Sequence, residues 1–286
     1  MSTALSILLT AGLALSPAAA QKKRIVSTTP AITEMLFAIG LGPRVVGVTS
    51  YCRYPPEAAK LPKVGGFINP DLEAIVALKP DLVAIQKNPV QLAEKIGRLG
   101  LHVVEVRHDT IHDALGAIEE LGRAAGAPNE SLRLTAKLRA DLETIRRATS
   151  GSPRRTMAFF VGRNPGQVEG LVAVGRRTYL QDLIVIAGGT NVFEDAIAPY
   201  PKVNLEEVLA RNPEVIIDMG DMSQTRDFTE AHKQAIVALW GKFPALRAVR
   251  ERKVFPVADD IYVVPGPRMI DAARSFARIL HPEAFR

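Results

Sequence analysis

The chain has 286 residues, of which 47% are hydrophobic and 23% charged. This is enough for one large domain or two ordinary ones, and it excludes a disordered or fibrous protein. The net charge is +6, but the lysines and arginines are scattered rather than clustered with aromatic residues, so the charge does not indicate nucleic-acid binding. The single cysteine, Cys52, excludes an intrachain disulfide.

The first 20 residues have the character of an export signal. An apolar run too short to span a bilayer ends in Ala18-x-Ala20, the small-residue pattern of a cleavage site. No lysine or arginine precedes the run, which departs from the usual pattern. We predict a signal peptide at 1–20 that is cleaved near Ala20, and hence a periplasmic protein without a cysteine-linked lipid anchor.

Strand-like and helix-like segments alternate with short joins from residue 24 to residue 126. The predicted order is a strand at 24–28, a helix at 30–42, a strand at 44–48, a helix at 71–79, a strand at 81–85, a helix at 88–100, a strand at 101–106 and a helix at 111–126. Such alternation is typical of a parallel sheet covered by helices on both faces.

Residues 129–149 interrupt this alternation with one uninterrupted helical pattern. Asn129 is the predicted N-cap, and Gly151 and Pro153 end the helix. Its length of about 30 Å, at 1.5 Å per residue, exceeds what a crossover between strands needs and suggests a strut between two lobes. The apolar stripe along it consists of Leu134, Leu138, Leu142 and Ile145.

A second alternating set follows the strut. It comprises strands at 155–161, 213–219 and 253–257 and helices at 178–189, 204–212, 229–240 and 267–280. The sequence therefore predicts an N-terminal lobe at 24–128, a linking helix at 129–150 and a C-terminal lobe at 151–286.

Signatures of catalysis are missing from the sequence. There is no phosphate-binding loop and no Gly-x-Ser-x-Gly elbow. His108 and His112 have the spacing of two metal ligands on one helix, but Thr110 and Ile111 mark a helix start between them, which argues against a metal site. Cys52 has no base nearby in sequence and is predicted to be a buried or pocket-lining thiol rather than a nucleophile. We expect no catalytic residue and no metal ligand.

Ligands of parallel sheets bind beyond the carboxyl ends of the strands. The predicted strands lead there into loops at 28–30, 49–56, 161–178 and 258–268. These loops and their neighbours are rich in aromatic residues, which suit a large, flat, partly apolar ligand. The aromatic residues expected to face the gap between the lobes are Tyr51, Tyr54, Phe67, Tyr200 and Tyr262.

A repeat links the two lobes. Residues 69–85 and 202–218 share a pattern of a helix ended by proline and followed by a strand, with Glu73 and Glu206 at the same place in the first turn. A carboxylate stabilises a helix N-terminus, so capping is the simple explanation of each glutamate. Capping alone does not require a glutamate at this place in both copies of the repeat.

The mature chain resembles the periplasmic substrate-binding proteins of ABC importers for cobalamin, haem and iron–siderophores, and the cobalamin-binding members are the most similar. The matching segments are STTPAITEMLFAIGLG (27–42), VGVTSYCRYPPEA (46–58), NPDLEAIVALKPDLVAI (69–85), AGGTNVF (187–193) and APYPKVNLEEVLARNPEVII (198–217). The resemblance implies an α/β fold of two Rossmann-like lobes with mainly parallel sheets, joined by one long rigid backbone helix, with no enzymatic activity and no resident cofactor.

The resemblance also implies partners. The ligand lies between the lobes and passes to a permease dimer with its ATPase subunits. In this family one acidic residue on each lobe docks onto arginine pockets of the permease, and Glu73 and Glu206 match those positions. A sensor or an enzyme built on the same fold is the alternative of a different class, although a metal-cluster enzyme would need more cysteines than Cys52.

The ligand contacts implied by the resemblance are Tyr51, Phe67, Leu171, Tyr200, Asp260 and Tyr262. The pocket departs from the family pattern because Leu171 replaces an aromatic residue, Ile261 a tryptophan and Val264 an arginine. A corrinoid is the expected ligand, with haem or a ferric siderophore as alternatives. Arginines that could meet acidic groups of those alternatives are Arg163, Arg176 and Arg177, and Tyr51 or Tyr200 could ligate ferric iron.

Overall fold

The computed structural model describes residues 23–87, 91–221 and 228–285, so the predicted signal peptide at 1–20 lies outside the described residues. No helix within these ranges combines the length and apolar character of a membrane span. Two separate sheets are present, one on each side of a long helix, and the α/β prediction is confirmed. We refer to residues 23–127 as the first lobe and 151–285 as the second.

The first lobe contains a four-stranded sheet in the order β2-β1-β3-β4, with all strands parallel. Its strands are β1 (Ile25–Ser27), β2 (Val45–Val48), β3 (Leu82–Gln86) and β4 (Val103–Val106). Its helices are α1 (Pro30–Ala38), α2 (Pro56–Ala59), α3 (Leu72–Ala77), α4 (Leu92–Gly97) and α5 (Ile111–Ala125). The short helix α2 was not predicted, whereas the others lie within the predicted ranges.

The linking helix α6 (Pro128–Thr149) packs against α5 of the first lobe and against two helices of the second. Ala127 is its N-cap, and Pro128 occupies the first helical position, where its missing N–H is not needed. The prediction of Asn129 as N-cap is therefore wrong, because Asn129 lies inside the first turn. Of the predicted stripe, Leu138, Leu142 and Ile145 are buried.

The second lobe contains a mixed sheet in the order β10-β9-β5-β6-β8, with β7 also beside β5. Its strands are β5 (Arg155–Gly162), β6 (Leu171–Ala173), β7 (Gly189–Asn191), β8 (Lys202–Val203), β9 (Val215–Asp218) and β10 (Val254–Pro256). Its helices are α7 (Tyr179–Ile186), α8 (Leu205–Arg211), α9 (Glu230–Gly241), α10 (Arg247–Arg250) and α11 (Met269–Leu280).

Residues 161–178 are not the single loop that the sequence predicts. Gly166 and Gly170, with φ of +67° and +62°, adopt the left-handed conformation that lets the chain reverse. The returning segment pairs antiparallel with β5 as β6, and β8 then adds antiparallel to β6. This edge of the second sheet is consequently antiparallel, while β10, β9, β5 and β7 run parallel.

Strand side chains alternate between two cores, as the two-residue period of a strand requires. Ile25 and Phe159 point into one apolar cluster that contains parts of both lobes and extends to Leu280, and we call it the shared core. Val26 and Phe160 point the other way, into the outer cores of the first and second sheets. Helices α1, α5, α6, α7 and α11 all contribute to the shared core.

Candidate functional site

Two aromatic side chains of the first lobe form an exposed pair. Tyr51 lies three residues after β2, and Phe67 lies in a tight loop closed by the pairing of Gly65 with Pro70. The two residues are 55% and 45% exposed, and their ring centroids are 6.0 Å apart in an edge-to-face arrangement. An exposed aromatic pair offers apolar surface to a flat ligand.

The loop that carries Tyr51 is anchored by its neighbour. Cys52 is buried in the shared core, and its sulfur accepts a hydrogen bond from the Thr33 hydroxyl at 3.2 Å. The backbone N–H of Cys52 also donates to the carbonyl of Thr49. Of the two predicted settings, a buried or a pocket-lining thiol, Cys52 has the first. The exposed Tyr51 is attached directly to this fixed residue.

Tyr200 presents the corresponding aromatic ring on the second lobe, where it is 44% exposed. Its loop lies close against Gly175, whose N–H donates to the carbonyl of Pro199 at 2.8 Å. A Cβ atom at Gly175 would lie only 2.5 Å from the carbonyl oxygen of Ala198, so no side chain fits there. Partial burial raises the pKa of Tyr200 to about 12, and the carboxylate of Asp109 in the first lobe contributes.

Leu171 and Tyr262 have too little accessible surface to line a cleft, which corrects the prediction for both. Leu171 is fully buried because β6 turns it into the outer core of the second sheet. Tyr262 is 6% exposed, stacks on Phe276 with centroids 5.7 Å apart, and shares a hydrogen bond with the Ser275 hydroxyl at 2.7 Å. The 3-10 turn at Asp260–Tyr262 directs this ring into the shared core.

Asp260 belongs to a group of charged residues at the junction of the lobes. Glu34 in α1 accepts two hydrogen bonds from Arg268, which immediately precedes α11, at 3.0 Å from Nε and 2.5 Å from Nη2. Asp259 lies 3.9 Å from the same guanidinium, and Asp260 is half-buried nearby. Burial raises the pKa of Glu34 above its ordinary value, against the opposing effect of Arg268. We call Glu34, Asp259, Asp260 and Arg268 the floor cluster; it holds three carboxylates and one guanidinium.

A second junction joins the lobes through two hydrogen bonds donated by backbone N–H groups. The N–H of Tyr179 donates to the carbonyl of Asp109 at 2.6 Å. Asp182 of α7 accepts a hydrogen bond from the N–H of Ile111 at 3.0 Å and so caps helix α5 of the other lobe. Burial raises the pKa of Asp182. The second junction lies at the amino ends of α5 and α7, and Arg268 of the floor cluster immediately precedes α11. The ligand gap is expected at such ends of the helices.

Arg163 is not available to an anionic ligand as the sequence suggests. Its Nε donates to the buried carboxylate of Asp218 at 3.0 Å, and its side chain is only 5% exposed. Asp218 also accepts hydrogen bonds from the Trp240 indole at 2.7 Å and from the N–H of Gly220 at 2.6 Å. No local sequence pattern reveals this network, because its members come from separate elements. Trp240, the only tryptophan of the sequence, was the one available signal.

The remaining candidate polar residues are not gathered into one centre. Arg176 is half-buried, whereas Arg177 is exposed with φ of +60°. His108 is buried, and burial lowers its pKa, but His112 is exposed in the first turn of α5. Within the described ranges no cluster of three or more histidine, cysteine, aspartate or glutamate side chains could hold a metal ion.

Glu73 and Glu206 are both exposed in the first turns of α3 and α8. The N-caps of these helices are Asp71 and Asn204, whose side chains accept a first-turn backbone N–H at 3.0 Å and 2.8 Å. Capping is therefore done by other residues in both repeats. The two glutamates form no ion pair with any residue that the structure describes.

Comparison with known proteins extends these observations. A family model described as periplasmic binding protein matches residues 25–260. The Vitamin B12-binding protein of Salmonella typhimurium is 30% identical over 259 residues, which cover 90% of each chain. The periplasmic vitamin B12 binding protein BtuF of Vibrio cholerae superposes with a TM-score of 0.76 at 26% identity, covering 92% of this chain and 98% of its own. The periplasmic heme-binding protein RhuT of Roseiflexus sp. RS-1 superposes with a TM-score of 0.76 at 27% identity, covering 92% and 99%.

Proposed function

Because this chain belongs to the periplasmic binding protein family, we propose that it is the substrate-binding component of an ABC importer for cobalamin or a related corrinoid. In this role it is exported with a signal peptide cleaved near Ala20, binds its ligand between the lobes, and delivers it to a permease dimer with its ATPase subunits. It performs no reaction and needs no resident cofactor.

The floor cluster is the observation that supports a corrinoid most directly. Glu34 and Arg268 neutralise each other and are largely shielded, which leaves the carboxylates of Asp259 and Asp260 as the accessible charges of the cluster. A corrin ring carries amide side chains whose N–H groups can donate to such carboxylates. Haem propionates and acidic siderophores would meet like charge there, which disfavours them. The names of the curated relatives support the same ligand class.

Haem is the second candidate, supported by the similarity to a heme-binding protein of equal TM-score. Calorimetric titration of the purified protein with cyanocobalamin, cobinamide, haemin and a ferric siderophore tests the two ligands against each other. We expect saturable binding of cyanocobalamin or cobinamide, with haemin weaker. Saturation by haemin alone would overturn the corrinoid proposal and favour the alternative.

Replacing Tyr51 or Tyr200 by alanine should weaken ligand binding by about 1–3 kcal/mol each, because a buried aromatic contact with the ligand is lost. Titration of each variant with the ligand identified for the wild type measures this. Phe285→Ala is the matched control, since Phe285 is an aromatic residue 39% exposed near the C-terminus. Unchanged affinity in both tyrosine variants would place the ligand elsewhere.

A further inference from the structure

Arg268 of the second lobe contacts two separate elements of the first lobe. Its guanidinium forms the bidentate pair with Glu34 of α1, and it also lies 4.1 Å from the ring centroid of Tyr54. Tyr54 belongs to the loop that carries Tyr51. We infer that Arg268 is a positioning residue. It fixes the exposed aromatic pair of the first lobe, Tyr51 and Phe67, relative to the second lobe.

The chemistry of this contact requires arginine. The planar guanidinium can pair with a carboxylate along one edge while its face lies on an aromatic ring. The Glu34 side chain is 3% exposed and that of Arg268 is 20% exposed, so the pair is largely shielded from water. A lysine at position 268 would keep the charge but lose both the two-point pairing and the flat contact with Tyr54.

The segment before α11 packs closely against the Glu34 side of the pair. Gly266 lies directly against Glu34, and a Cβ atom there would be 2.9 Å from Oε2 and 3.3 Å from the Glu34 Cβ. Gly266 does not have a positive φ, so the absence of a side chain is explained by this approach rather than by backbone conformation. The segment leading into α11 therefore holds Arg268 against Glu34.

The loop of Tyr51 has two anchors of different kinds. Cys52 ties it to the shared core of its own lobe, while Tyr54 ties it to Arg268 across the junction. Without Arg268 the loop would keep the first anchor and lose its only described contact of this kind with the second lobe. The distance between Tyr51 of the first lobe and Tyr200 of the second lobe would then be less well defined.

A distance measurement tests this without any ligand. Spin labels on cysteines that replace the exposed Lys60 and Lys202 report the separation of the lobes, and Cys52, at 1% exposure, stays unlabelled. We expect Arg268→Lys to broaden the distance distribution. The hydrogen bonds from Tyr179 to the Asp109 carbonyl and from Ile111 to the Asp182 carboxylate should keep the variant folded. The control Arg274→Lys, an exposed residue of α11 paired with Asp271, should leave the distribution unchanged.

Two variants of Tyr54 test the aromatic partner of Arg268. Tyr54 is 45% exposed, so its replacement should be tolerated by the fold. Tyr54→Leu should broaden the distribution as Arg268→Lys does, whereas Tyr54→Phe keeps the ring and should behave as the wild type. A distribution unchanged in both Arg268→Lys and Tyr54→Leu would overturn the inference.

The effect on binding rests on the proposed function and is measured with cyanocobalamin. We expect Arg268→Lys to lower the affinity about tenfold, and to lower it much less in a Tyr51→Ala background, because the two residues act through one loop. Additive losses would mean that Arg268 does not act through Tyr51 and would overturn that step. If cyanocobalamin fails to bind even the wild type, the proposed ligand is wrong, while the distance measurement still decides the positioning role.

Discussion

A chain in which Glu73 and Glu206 are both replaced by lysine should fail to dock to its permease and should not support transport, although its ligand affinity in solution stays the same. Each glutamate is exposed in the first turn of its helix, and other residues do the capping. A desolvated ion pair across an interface costs about 2–5 kcal/mol when one partner is removed, and reversal adds repulsion. Two such losses exceed what a transient complex can tolerate.

Reconstituted transport and co-purification with the permease measure this effect. The matched control is Glu57→Lys combined with Glu230→Lys, since these are also exposed first-turn glutamates, one in each lobe. The control carries the same charge change at a helix start and in addition loses the ion pair between Glu230 and Lys233. A loss of transport confined to the first pair therefore identifies a specific surface. Normal transport by the Glu73 and Glu206 double variant would refute the docking role.

The largest effect on folding is expected at Asp218. Its carboxylate is fully buried and holds Arg163, the Trp240 indole and the N–H of Gly220. Asp218→Ala would leave the Arg163 guanidinium buried without a counter-charge, which costs about 3–5 kcal/mol. Urea denaturation followed by tryptophan fluorescence measures the loss, because Trp240 lies in the same network.

Asp271→Ala provides the comparison for that experiment. Asp271 pairs with Arg274 on the surface, where both side chains are about half exposed, and such pairs contribute only about 0–1 kcal/mol. Combining Asp218→Ala with Arg163→Met should recover part of the lost stability, because the uncompensated charge is gone. A single Asp218→Ala variant as stable as Asp271→Ala would show that the buried pair does not hold this lobe together.

Local pattern was sufficient for much of the fold. The helix that Pro80 ends and the strand at 81–85 appear as α3 and β3, and the same unit recurs as α8 and β9. Glu73 and Glu206 could be singled out because a repeat compares two positions directly. Apolar periodicity and helix-ending residues are encoded within a few positions, so one sequence suffices to detect them.

Contacts between distant segments were not predictable in this way. Glu34 and Arg268 are 234 positions apart, and no local pattern records their pairing. One signal was present, since Glu34 is the single charged residue in helix α1, most of whose other residues are apolar. The resemblance implied that Leu171 contacts the ligand, but its burial depends on the pairing of β6 with β5, which turns the side chain into the outer core.

The shared core has a consequence for how the chain could be divided. Because one apolar cluster runs from Ile25 to Leu280 and includes the middle of α6, a break at residue 128 would give two fragments with matching uncovered faces. Neither fragment could bury its part of the shared core alone, so each would have to associate with the other to fold. A chain comprising either lobe alone would therefore expose its half of the shared core.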